Sequence, residues 1–298
     1  MKLNLICLAA ASLSITLCSL LATAQDYEIR LEQPSKVGDK YSLSATGSQR
    51  VKVKFTSGDQ VVRNVDDGFT LELTAEATVL TVDATSTAIS KSFTIISSKL
   101  IKDGITKPLL PNGSIVLAKL QGGNTLFEMS GKPVEDVVAK ALSTVIALHS
   151  GDSISDKAMF GTHEKKRVGE SWNLNVEATM AFIKSLGGQA RKEDIKGMSV
   201  FEKAENKHVI IRSSMDVTNV SLPLSAGYKA EKGEIHSEFF SKLPLPDSDG
   251  SVETTNKILM NLTGRRDPAP DKPAMEISLI YESSGTFRTI PTKQNSTL

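Results

Sequence analysis

The sequence predicts a mainly β protein: a curved antiparallel sheet or half-barrel that carries one amphipathic helix, with a candidate duplication. Three observations carry that expectation. Apolar and polar residues alternate along much of the chain, the period-two signature of strands with one buried face. Asp-Gly and Asn-Gly pairs punctuate these stretches and supply the backbone freedom that hairpin turns need. One segment, residues 133–149, switches to the 3.6-residue period of a helix.

Taken in order, residues 1–24 read as a cleavable signal peptide. Lys2 supplies the only charge ahead of an apolar run from Leu5 to Leu21, and Ala22-Thr23-Ala24 matches the small-x-small cleavage pattern. The rival reading, a retained membrane helix, lacks a basic stop-transfer cluster after the run. A lipoprotein signal at Cys18 places bulky Leu17 where a small residue is expected. The mature chain is therefore expected to begin near Gln25, in the periplasm or the medium. Cys7 and Cys18 are the only cysteines, so it would carry no disulfide and no Cys-ligated metal.

Strands are expected at Val51–Phe55 and Phe69–Val79, the second with Phe69, Leu71, Leu73, Ala75, Ala77 and Val79 on one side; Asp66-Asp67-Gly68 reads as the turn between them. A strand from Phe93 to Ile101 leads to a turn at Asp103-Gly104, and Pro111-Asn112-Gly113 precedes Ser114–Leu117. In the helical segment Val134, Val137, Val138, Ala141, Leu142, Val145, Ile146 and Leu148 share one face. Pro133 suits the first helical position, and Glu135 and Asp136 favour the positive end of the dipole.

After a polar stretch, Trp172, Leu174, Val176 and Ala178 alternate as another strand. Further strands are expected at His208–Val220, around Ile258–Leu262 and at Met275–Tyr281, while Met180–Leu186 fits a helix or a strand. Arg265–Pro273 reads as a loop. The expected organisation is a signal peptide at 1–24, a β-rich module with a C-terminal helix at 25–160, a second β-rich module at 161–288 and a flexible tail at 289–298. The duplication rests on Lys36-Val37-Gly38-Asp39-Lys40-Tyr41-Ser42-Leu43 and Arg167-Val168-Gly169-Glu170-Ser171-Trp172-Asn173-Leu174, which share the pattern basic-Val-Gly-acid-x-aromatic-x-Leu.

The motifs of known chemistry are missing. The whole chain has 35 Lys and Arg against 34 Asp and Glu, so removing Lys2 leaves no net charge to favour nucleic acid or an anionic membrane. His163-Glu164 begins like a zinc-helix motif, but Arg167 stands where the second histidine is required. Neither G-x-S-x-G nor a P-loop occurs. Pro246-Asp247-Ser248-Asp249-Gly250-Ser251 starts like a calcium loop but lacks its later acidic ligands. His208 and His236 fall in expected strands, and their meeting beside a serine would favour a hydrolase with a nonstandard site.

The phrase Val168-Gly169-Glu170-Ser171-Trp172, following a polar linker and an amphipathic helix, resembles a family of exported bacterial β-proteins with tandem halves. Phe127-Glu128-Met129-Ser130-Gly131-Lys132-Pro133 carries the same likeness. That family has no established activity, so the resemblance implies a fold and no chemistry. A curved sheet holding a helix also resembles the periplasmic lipoprotein-carrier half-barrel, as a fold analogy.

These observations point to an exported, non-enzymatic binding protein. It would bind an apolar small molecule or peptide on a concave sheet face, with Phe69, Leu71, Leu73, Trp172 and Leu174 as inward ligand-binding residues. No cofactor, metal or nucleic-acid partner is expected, and no integral membrane segment after signal cleavage. The alternatives are a structural or assembly component of the cell envelope and the nonstandard hydrolase.

Overall fold

The computed structural model describes residues 25–224, 227–246, 248–268 and 273–292. The expected signal peptide and the last residues of the expected tail lie outside the described residues.

The chain first builds the strands β1 (Lys40–Ser57), β2 (Gln60–Val82), β3 (Ala88–Lys102), β4 (Ile105–Pro108), β5 (Ile115–Gln121), β6 (Asn124–Met129) and β7 (Lys132–Pro133). Helices α1 (Asp136–Leu142) and α2 (Asp156–Phe160) follow, then β8 (Ser171–Asn173) and α3 (Val176–Ser185). The chain closes with β9 (Ile195–Glu205), β10 (His208–Val217), β11 (Lys229–Pro244), β12 (Val252–Arg266) and β13 (Met275–Pro291).

The strands form one open antiparallel sheet in the order β7-β6-β5-β3-β2-β1-β13-β12-β11-β10-β9-β8, with β4 paired to β3 outside this path. The mainly β architecture is thus the one the alternation predicts. The chain starts in the middle, meanders to one edge, crosses to the other edge and meanders back. Its first and last strands then pair at a central seam that runs from Tyr41↔Pro291 to Thr56↔Glu276. The two edges are short strands of two and three residues, which limits the unpaired backbone they expose.

One face of the sheet carries the cores. Leu43, Leu71, Leu73, Phe93, Val116 and Phe127 pack under the α1 segment, against Leu142, Val145 and Ile146. On the other half, Ile183 of α3 and Phe160 of α2 cover Met215, Val217, Ile235 and Leu262. A smaller cluster joins Ile29 to Phe201, Val209, Ile211 and Leu243. Gly47 of β1 marks where the crossover presses closest: an added Cβ would lie 2.6 Å from Thr144 Oγ1.

Regular helix in the 133–149 segment covers α1 alone, and its apolar face continues through Val145, Ile146 and Leu148 in turns. The hydroxyls of Ser143 and Thr144 donate to Lys140 O and Ala141 O at 2.8 and 2.7 Å, competing with the backbone ladder at that point.

Two local expectations are corrected. Asp66-Asp67-Gly68 lies within β2, and the hairpin turns instead at Gly58, where φ is +55°. The two carboxylates tolerate a strand because Arg50 and Lys102 meet them across it. Val176 and Ala178 belong to α3 rather than to a strand, because the Asn175 side chain caps the helix by accepting from Ala178 N at 3.1 Å. No helix among the described residues is long and apolar enough to cross a membrane.

Candidate functional site

The strand register decides what the opposite face of the sheet presents. Across the seam, Ser48 of β1 stands beside Thr70 of β2 and Ser284 of β13. Gly68 follows two residues along β2, opposite Arg50. These residues alternate with Gly47, Leu71 and other members of the core face, so they look away from it. Four small residues at adjoining positions of three strands leave a low floor. Longer side chains rise around it: Arg50, Asp66, Ile101, Glu238, Lys257, Leu259 and Glu282. The result is an open trough of about 890 Å³.

Its polar groups are organised. Ser48 Oγ and Thr70 Oγ1 share a hydrogen bond of 2.8 Å. Arg50 donates two bonds of 2.7 Å to the Asp66 carboxylate, an arrangement that holds Asp66 below the usual carboxylate range. His236 on one wall lies 2.7 Å from Asp216 through Nδ1 and 3.7 Å from Glu238 through Nε2. The hydrogen bond to Asp216 raises its pKa above the ordinary histidine value, against a smaller opposing effect of burial. Lys257 has no ion-pair partner among the described residues. Such a site offers hydroxyls, charges of both signs and the apolar flanks of Ile101 and Leu259.

The five residues expected to face a ligand are divided among the cores. Leu71 and Leu73 are buried beneath the α1 segment, and Phe69 packs half-buried beside them on the same face, with Lys140 Nζ 5.6 Å from its ring centre. Leu174 lies in the core under α2 and α3. Trp172 packs on the third cluster and donates from Nε1 to Phe160 O at 2.7 Å.

His208 and His236 do not meet. His208 pairs with Pro244 at one end of β10, and His236 pairs with Asp216 at the other, about 26 Å away at the usual strand rise. His208 does contact a serine: its Nε2 lies 3.1 Å from both Oγ and the carbonyl oxygen of Ser251. Its Nδ1 is held 2.8 Å from Asn206 O. Ser251 Oγ also donates to Asp249 at 2.7 Å. These bonds brace the 248–251 turn, and neither residue lines the trough. Asp247 of the calcium-like loop lies outside the described residues. No group of three potential metal ligands occurs among the described residues.

Sequence reasoning missed Ser48, Gly68, Thr70 and Ser284. Small residues on the polar side of a strand are a weak signal, and only the pairing register brings these four together.

No protein-family model matches the chain, and no curated protein matches it by sequence. Among solved structures, the chain is similar to one of lipovitellin described by its lipid–protein interactions, at a TM-score of 0.38 and 10% identity. That match covers 88% of this chain and 26% of the other, so the chain spans about a quarter of that structure's length. It is also similar to the outer membrane protein AlkL in DMPC bilayers, at a TM-score of 0.21 and 9% identity over 92% of this chain and 99% of that one. Pseudomonas aeruginosa OpdQ matches at 0.20 and 7% identity, over 85% and 98% of the two chains. Likeness at this level carries no argument about function.

Proposed function

We propose that the protein is an exported, non-enzymatic binding protein whose ligand, a small amphipathic molecule or a peptide, lies in the trough over the central seam. The observation that carries this reading is the floor of Ser48, Gly68, Thr70 and Ser284, which leaves about 890 Å³ open beneath a rim of long side chains. Cavities of roughly 300–1,000 Å³ are typical of small-ligand sites. Floor hydroxyls can orient a polar group, while Ile101 and Leu259 cover apolar surface. All five residues nominated by sequence, Phe69, Leu71, Leu73, Trp172 and Leu174, act as the packed backing that holds the sheet in shape.

Native mass spectrometry of residues 25–298, purified from the natural host without detergent, tests this. The expected result is a discrete extra mass that organic solvent releases. Ser48→Trp, which fills the floor, should lack it. A bare protein mass in the parent chain, or an extra mass that persists in Ser48→Trp, would overturn the assignment to the trough.

A further inference from the structure

Strand β2 is longer than its outer neighbour. It pairs with β1 from Gln60 onward, but β3 joins it only from Thr70. The stretch Gln60–Phe69 therefore has one free side, and among the described residues no backbone hydrogen bond fills it. Ten residues of strand amount to about 33 Å of unpaired edge. It is the reverse of the sheet's two ends, which are cut short.

We propose that this edge accepts an extended peptide segment of a partner protein, carrying an acidic residue with an apolar residue two positions away. The backbone supplies a ladder of donors and acceptors for an added strand, and the side chains supply the selectivity. Arg63 and Val65 share one face of β2, opposite Phe55 and Val53, whereas the register shift at Val62 turns Val61, opposite Thr56, to the other face. Val61 and Val62 are 54% and 60% exposed, unusual for valines in a strand. The acidic charges on the edge are already answered, Asp66 by Arg50 and Asp67 by Lys102 and Lys140. Arg63 has no partner among the described residues. Directly opposed residues in an antiparallel pair sit with their Cβ atoms about 5 Å apart. A carboxylate opposite Arg63 would pair with it, and an apolar residue two positions from that carboxylate would cover Val65. Without that carboxylate, pairing strands Arg63 beside apolar surface, which disfavours unmatched segments.

The test uses a blocked, dye-labelled peptide of sequence Thr-Ile-Thr-Glu-Thr-Ile-Thr and fluorescence anisotropy with the mature chain. Saturable binding is expected. Arg63→Glu, a change at an exposed position that should leave the circular dichroism spectrum unaltered, should weaken binding about tenfold or more. Replacing the peptide's Glu by Lys should restore binding to that variant. Methylating the peptide's alternate backbone amides should abolish binding. No binding to the parent chain, equal binding by Arg63→Glu, or undiminished binding of the methylated peptide would each overturn the proposal. Ser48→Trp leaves Arg63 in place, so peptide binding is expected to survive in it. Failure of the trough reading and failure of this one are then read separately.

Discussion

Gly38 and Gly169 hold the same place in two turns of the same construction. Both have φ +89°. Gly38 N donates to Val79 O at 2.9 Å, and Gly169 N donates to Phe201 O at 2.7 Å. Val79 N and Phe201 N each donate back, to Asp39 O and Glu170 O, at 2.9 Å. The acidic side chains close each turn by accepting from Lys36 N at 2.7 Å and Arg167 N at 2.9 Å. The strands that follow, β1 and β8, then pair in matching register: Tyr41 stands opposite Ala77, and Trp172 opposite Ser199. We infer that residues 25–160 and 161–288 are two related modules set side by side in one sheet.

Replacing either glycine tests that equivalence. An added Cβ meets nothing within 4 Å at Gly38 or at Gly169, so the cost is the backbone conformation alone. Gly38→Ala and Gly169→Ala should each lose about 1–2 kcal/mol, measured by urea unfolding. A cost at one position and none at the other would count against the equivalence.

Leu259 and Leu71 separate contact from support. Leu71 is 0% exposed under the α1 segment, so Leu71→Ala should cost about 2–5 kcal/mol in denaturant melts. Leu259→Ala should cost less, because the residue is 37% exposed, yet it should remove the mass bound in the trough. Retention of the bound mass in Leu259→Ala would remove Leu259 from the contact surface.

Asp83 clasps the crossover to the sheet. Its carboxylate accepts from Gly151 N at 2.6 Å, from Thr85 N and Oγ1 at 2.9 and 2.7 Å, and from Thr87 N at 3.0 Å. These bonds, led by that from Gly151, hold its pKa far below the usual carboxylate range. A depressed folded pKa contributes stability that is present in full above the unfolded value, about 4, and is lost as pH falls through the folded value. Asp83→Asn should therefore lower the melting temperature at neutral pH and converge on the parent chain in strong acid. Faster amide exchange at Gly151 should accompany it.

The His236–Asp216 pair works in the opposite sense. Its folded pKa is raised by the hydrogen bond to Asp216. The stability it contributes is complete below the ordinary value of 6.5 and disappears as pH rises through the folded one. The side chain is 46% exposed, so solvent screens the effect and it is small. The NMR titration midpoint of His236 should lie above 6.5, and Asp216→Asn should bring it down. A midpoint that stays put in Asp216→Asn would show that the contact carries no charge coupling.

Much of this fold is legible in local pattern. The alternation from Phe69 to Val79 correctly assigns Leu71, Leu73, Ala75, Ala77 and Val79 to the core face, because a strand's side-chain period needs no knowledge of its neighbours. Asp103-Gly104 turns the chain where expected, with both residues at positive φ. Asp66-Asp67-Gly68 misleads, since turn-forming residues persist in a strand once Arg50 and Lys102 arrive from other strands. Val176 and Ala178 mislead for a complementary reason: four residues of alternation are too few to outweigh a helix that begins with an Asn cap.

The sequence by itself determined that the chain is β-rich, which side of each long strand is apolar, and that residues 134–148 carry an amphipathic cover. Those properties follow from periodicity within a single segment. The tertiary structure alone decided that β1 and β13 meet at a central seam, that Ser48, Gly68, Thr70 and Ser284 form one floor, and that β2 outruns β3 to leave Arg63 on an open edge. Each of these depends on the register between strands far apart in the chain, and backbone pairing is the same for every residue type. Register is therefore chosen by how all the apolar faces pack together, and no single segment records it.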